Sequence, residues 1–198
     1  LEALSDPAKE GRLVSCGRPP VFVQVEMMDE NGDIVTQGEW GEIVVRGTFV
    51  SLGYYGDEEA SEANRAHGWH HTGDIGYKDE EGFVYIVDRK KDMIITGGLN
   101  VFPIEIERLI WSHPAVQDCA VIGVPDQKWG EAVKAVVELK MGETASEMEI
   151  IALCKDKLSA YKAPKTVEFW DNLPRSGVGK VLKRKVRERY WAGYERKI

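Results

Sequence analysis

Lys180 has the surroundings of a reactive cation. It ends the segment PRSGVGK at 174–180, where Gly177 and Gly179 allow unusual backbone angles and close approach to a ligand. An ammonium group there can follow charge as it shifts between phosphate and carboxylate oxygens, work of about 2–4 kcal/mol in a barrier. A Walker phosphate loop is excluded, because Pro174 stands where Gly is required and Val181 where Ser or Thr is required. Asp74 is the second candidate. In HTGDIG (71–76) it follows Thr72 and Gly73, where a tight turn could hold a carboxylate at a cleft, and a carboxylate can accept two hydroxyl hydrogen bonds, as from the vicinal diol of a ribose. Arg89, at the end of FVYIVD (83–88), offers a rigid donor fork that could share the same sugar. Taken one at a time, the three also fit a solvated loop lysine, a turn aspartate and a surface ion-pair arginine. His67, His70 and His71 lack the paired spacing of a zinc motif. Cys16, Cys119 and Cys154 are odd in number and far apart, so they read as reduced core thiols, and no metal site is expected.

The elements that must carry these residues change character along the chain. Val21, Val23, Val25 and Met27 alternate as in a strand and run into DENGD at 29–33, a hairpin-turn signal. Further strands are expected at 42–46 and 83–88, with a short helix over 58–66 stopped at Gly68. After DRKKDMIITGGLN (88–100) helices and strands alternate: a helix begins near Pro103, strands cover 116–124 and 133–139, and a helix starts at 147 with Ser146 and Glu149 as a capping box. A strand at 165–170 and a basic helix from about 181 follow, with Leu182, Val186 and Tyr190 along one side. The expected fold is α+β, a small β-barrel-like subdomain over 1–90 and a separate α+β domain over 91–198.

Composition bounds the rest. The 198 residues carry 26 Lys and Arg against 33 Asp and Glu, net −7, and 43% hydrophobic residues, as in a globular protein. Charge is segregated: residues 1–150 hold 13 cations and 28 anions (net −15), residues 151–198 hold 13 and 5 (net +8). The basic tail must therefore meet something anionic: phosphates, nucleic acid or the acidic body of the same protein. No apolar run reaches the roughly 20 residues of a membrane helix, and the opening LEALSDPAKEGRL has no signal-peptide regions, so a cytoplasmic location is expected.

In order, GEIVVRG (41–47), HTGDIG (71–76), DRKKDMIITGGLNVFPIEIE (88–107) and PRSGVGKVLKR (174–184) closely resemble the C-terminal part of the adenylate-forming, AMP-binding superfamily, over about residues 11–198. That family includes acyl-CoA synthetases, aryl-CoA ligases, luciferases and peptide-synthetase adenylation domains. The resemblance implies ATP-dependent activation of a carboxylic acid, fatty or aryl, to an acyl adenylate and its transfer to CoA. It puts Asp74 and Arg89 at the family's ribose-binding positions and Lys180 at that of the lysine bridging α-phosphate and carboxylate. It makes Lys91 the hinge of a mobile C-terminal domain and sets Gly97, Gly98 and Leu99 along the pantetheine channel. Mg2+ would be bound mainly by the large N-terminal domain, whose phosphate loop and acyl pocket have no counterpart in this sequence. Leu1 in place of Met also makes the chain look like a fragment, expected to be inactive alone. GGLNVFPIEIE, VIGVPDQKWGEAV and HGWHHTGD look more like an acyl-CoA or aryl-CoA ligase than a peptide-synthetase domain. A nucleic-acid-binding module, resting on KVLKRKVRER (180–189), and a non-catalytic interaction piece are the competing classes.

Overall fold

The computed structural model describes residues 12–194; the opening segment read for signal-peptide features lies outside them up to Gly11. The chain divides into two compact units, Leu1–Lys90 and Lys91–Ile198.

In the first unit, β1 (Val23–Met28), β2 (Gly41–Gly47), β3 (His70–Lys78) and β4 (Val84–Arg89) form an antiparallel sheet in the order of the chain. Met27, Ile43 and Val84 make its core, packed with Val25, Val35 and Val45. The turn at 29–33 is held by the Asp29 carboxylate, which accepts from the backbone N–H groups of Asn31 and Asp33 at 2.9 Å each. Between β2 and β3 the short helix α1 (Glu58–Ala63) starts at Asp57, whose side chain accepts from the Ala60 N–H. Two expectations need correction. The sheet is open, with β1 and β4 as its edges, so the α+β class stands without barrel closure. HTGDIG is a strand and not a tight turn: it lies inside β3, where a bulge opposite Glu42–Val44, with Gly73 at φ +72°, breaks the ladder just before Asp74.

The second unit is built around β7 (Val116–Asp126) and β8 (Gly130–Leu139), paired antiparallel along nearly their whole length. On the other side of β8, the hairpin β5 (Ile94–Thr96) and β6 (Leu99–Val101) joins at Thr96–Gly130, and β9 (Thr166–Phe169) runs parallel to residues 134–137. Both faces of this sheet are covered, which is why CAVIGV and AVKAVV read as continuous apolar runs. Cys119, Val121, Val133, Ala135 and Val137 point to one core with Ile106 and Ile110 of α2 (Pro103–Trp111) and Ile150 and Cys154 of α3 (Glu147–Lys157). Ala120, Ile122 and Val136 point to the other, with Val186 of α4 (Lys183–Glu188) and Leu173. The capping box of α3 forms: the Ser146 hydroxyl accepts from the Glu149 N–H at 3.2 Å, and Glu149 accepts from the Ser146 N–H at 2.7 Å. Of the three free thiols Cys119 and Cys154 are buried, while Cys16 is exposed, contrary to expectation. Burial pushes the Cys154 thiol up to about 11 and Cys119 higher still, leaving both protonated at neutral pH.

Candidate functional site

In the first unit, register brings Asp74 and Arg89 together. They are directly opposed across β3 and β4, and Arg89 Nε lies 2.6 Å from Asp74 Oδ1. The bulge at Gly73 positions this carboxylate. Thr72 Oγ donates to the Ile43 carbonyl at 2.8 Å and accepts from the Asp74 N–H at 3.1 Å, so the backbone on either side of Gly73 is tied down. Asp74 Oδ2 has no hydrogen-bond partner among the described residues, and the Arg89 side chain is half exposed. One oxygen is thus braced by a guanidinium while the other is available to a hydroxyl.

Beneath this pair lies a carboxylate that sequence reading missed. Glu42 is buried at 6% exposure; its Oε2 takes Lys90 Nζ at 2.8 Å and His71 Nδ1 at 2.9 Å, and its Oε1 takes the Gly73 N–H at 3.2 Å. Burial pushes the Glu42 carboxyl up, but the hydrogen bonds and charges of Lys90 and His71 outweigh it and hold it below the usual carboxylate range. Glu42 therefore pins the bulge that presents Asp74. The one available signal was an acid directly before the apolar run IVV at 43–45.

In the second unit, Lys180 stands on a small hairpin. Ser176 N–H donates to the Lys180 carbonyl at 2.8 Å and Leu182 N–H to the Pro174 carbonyl at 2.8 Å, around a turn with Gly179 at φ +83°. Val178 is 91% exposed, and Lys180 is exposed with no ion pair among the described residues. Arg175, which the motif reading passed over, joins this hairpin to Asp118 and Glu138.

Gly97 and Gly98 form the turn of the β5–β6 hairpin, at φ +58° and +80°, and Leu99 is about half exposed. The two glycines differ. A Cβ on Gly97 would lie 2.8 Å from Trp129 Cε3, whereas one on Gly98 would meet nothing within 4 Å. The segment at the start of β8 seats this hairpin: Gly97 N–H donates to the Trp129 carbonyl at 2.8 Å and Ile95 N–H to Glu131 Oε2 at 3.2 Å. A cavity of about 410 Å³ opens beside it, lined by Ile95, Pro125, Trp129, Glu131, Trp191 and Tyr194. Lys91 is the first residue of the second unit.

The charge segregation also finds a structural outlet. Lys162 pairs with Glu105, Arg175 with Asp118 and Glu138, Lys183 with Glu107 and Arg187 with Asp92, so cations of the basic tail neutralise acids from 91–150. Among the described residues no group of three or more His, Cys, Asp or Glu side chains could hold a metal ion, and no helix is long and apolar enough to cross a membrane.

Comparison with known proteins agrees with this arrangement. Residues 105–180 match the AMP-binding enzyme C-terminal domain. The medium/long-chain-fatty-acid–CoA ligase FadD8 of Mycobacterium tuberculosis is 46% identical over 196 residues, covering 96% of this chain and 34% of that protein. A feruloyl-CoA synthase from Amycolatopsis is 45% identical, covering 90% of this chain and 36% of the relative. ATP-bound MatB from Rhodopseudomonas palustris superposes with a TM-score of 0.84 at 40% identity, over 92% of this chain and 37% of that structure. The chain therefore spans about a third of the length of these relatives. With that identity along nearly its whole length and the four motifs in order, the chain belongs to the adenylate-forming, AMP-binding enzyme family, and its second unit contains that family's C-terminal domain.

Proposed function

We propose that the chain is the nucleotide-closing portion of an ATP-dependent acid–CoA ligase, working with a preceding large domain. In the first half-reaction a carboxylate oxygen of the acid attacks the α-phosphorus of ATP, the bond to the β-phosphate oxygen breaks and pyrophosphate leaves. In the second, the CoA sulfur, having lost its proton, attacks the acyl carbon and AMP leaves. Asp74 accepts the ribose hydroxyls with Arg89 beside it, and Lys180 neutralises charge between the α-phosphate and the acid. Lys91 is the hinge on which the second unit turns between the half-reactions, and the bare face of Gly98, next to Gly97 and Leu99, admits the pantetheine arm. The relatives named above act on fatty and aryl acids, which supports a carboxylic acid of either class as substrate. Mg2+ would accompany ATP in the preceding domain. The isolated chain turns over no substrate, because the phosphate and acyl contacts belong to that domain.

The observation that carries this reading is Asp74, left without a partner on β2 by the Gly73 bulge while paired with Arg89 on β4, with one oxygen on Arg89 and the other open among the described residues. The competing nucleic-acid reading loses support because Lys183 and Arg187 of the basic run are engaged with Glu107 and Asp92 of the same unit. To test the proposal, the chain is joined to the large domain of its own polypeptide or of a relative, and the two half-reactions are measured separately. Lys180→Ala should lower ATP–pyrophosphate exchange at least a hundredfold while thioester formation from supplied acyl adenylate stays within a few-fold. Exchange within twofold of the parent, or equal loss in both half-reactions, would overturn it.

A further inference from the structure

Val181 at the base of the hairpin that carries Lys180 packs against the core with Ala120, Ile122 and Val136, but the tip has little to hold it in place by packing. Gly177, Val178, Gly179 and Lys180 are all exposed, and an isolated two-stranded hairpin is marginal in water. What fixes it is polar. Asp118 on β7 and Glu138 on β8 are direct partners in the sheet, two like charges face to face, an arrangement that destabilises a sheet unless a cation sits over both. Arg175 supplies it: Nη1 lies 2.6 Å from Asp118 Oδ2 and Nη2 lies 3.0 Å from Glu138 Oε2. The acceptors are themselves held. Asp118 Oδ1 also accepts from Trp111 Nε1 at 3.0 Å and from the Cys119 N–H at 2.8 Å, and Glu138 Oε2 accepts from the Leu173 N–H at 2.9 Å. From this platform Arg175 Nη1 also donates to the Gly179 carbonyl at 3.3 Å. That carbonyl belongs to the peptide unit whose nitrogen is that of Lys180, and the Lys180 N–H donates to Ser176 Oγ at 3.2 Å. Both polar atoms of the planar Gly179–Lys180 peptide are thus gripped, which fixes the orientation of the Lys180 Cα.

We propose that Arg175 is a positioning residue for acid activation: its fork, braced by Asp118 and Glu138, sets the Gly179–Lys180 peptide and so aims the Lys180 ammonium. This rests on the function assigned to Lys180 above. The planar fork is essential to the role, because a single ammonium presents no parallel donors to reach two carboxylates and a carbonyl at once.

Two measurements test it. In the 198-residue chain, amide hydrogen exchange of Gly179 and Lys180 should speed up at least tenfold in Arg175→Met, with the core amides of β7 and β8 unchanged. This readout does not depend on the function of Lys180. In the chain joined to its large domain, Arg175→Met should slow ATP–pyrophosphate exchange tenfold or more, mainly in kcat, while thioester formation from supplied acyl adenylate stays within twofold; Arg175→Lys should recover only part of the loss. Unchanged exchange at Lys180, acceleration spread over the β7–β8 core, or equal slowing of both half-reactions would overturn the proposal. No ATP–pyrophosphate exchange by the unsubstituted ligase would sink the functional reading instead, with the amide result still standing for the positioning.

Discussion

Replacing Lys183 with Met should destabilise the second unit by about 3 kcal/mol. Lys183 Nζ lies 2.9 Å from Glu107 Oε1, and the Glu107 side chain is 3% exposed. Removing one partner of a buried ion pair leaves a charge stranded in a low-dielectric site, at roughly 3–5 kcal/mol. The low end applies here for two reasons. The same Glu107 oxygen keeps the Val121 N–H at 2.8 Å as a donor, and the Lys183 side chain retains 18% exposure, so water can approach the vacated charge. Methionine preserves the apolar stem, which confines the perturbation to charge. At about 4–8 °C per kcal/mol for a domain of this size, the midpoint should fall by roughly 12–24 °C. Urea unfolding followed by the fluorescence of the unit's tryptophans gives the free energy directly. Glu107→Gln in the Lys183→Met background should restore at least about 1 kcal/mol, because the neutral amide still accepts from Val121 and no longer needs a cation. A loss under about 1 kcal/mol in Lys183→Met, or no coupling to Glu107→Gln, would refute the view that this pair joins α2, β7 and α4.

Two other outcomes are expected. Gly98→Ala should carry only the strain of a left-handed residue, about 1–2 kcal/mol, whereas Gly97→Ala must also displace the Trp129 indole and should lower the thermal midpoint further; equal effects would show that Trp129 does not seat the turn. Because the Glu42 carboxyl is held below its ordinary value in the folded protein, its contribution is present above pH of about 4.5 and is lost as pH falls through the depressed folded value. Glu42→Gln should therefore flatten the acid limb of the first unit's stability profile, and an unchanged slope between about pH 5 and 3 would contradict the stabilisation of the Glu42 carboxylate by Lys90 and His71.

The long strands and the capped helix were legible because their signals are local: alternation at 21–28, unbroken apolar runs in the β7–β8 pair, and Ser146 three residues before Glu149. Of the site, Asp74, Arg89 and Lys180 could be singled out by type, yet only the ordered motifs separated them from ordinary surface residues. What escaped is what depends on partners distant in sequence. Glu42 meets Lys90 across 48 positions and Arg175 meets Asp118 across 57, so neither contact leaves a mark in its own neighbourhood. The bulge at Gly73 escaped for a related reason: a glycine between Thr and Asp reads as a turn, and only the register with β2 makes it a strand defect. The β5–β6 hairpin is three residues per strand, too short for periodicity to show.

The proposed function requires Lys180 and the Asp74–Arg89 pair to serve one adenine nucleotide during acid activation. An adenosine analogue bearing an amine-reactive sulfonyl fluoride in place of the phosphates, applied to the ligase and mapped by mass spectrometry, tests it most directly. Modification at Lys180, protection by ATP and loss of labelling in Asp74→Ala are expected; labelling confined to other lysines, or labelling of Lys180 that Asp74→Ala leaves untouched, would contradict a shared nucleotide.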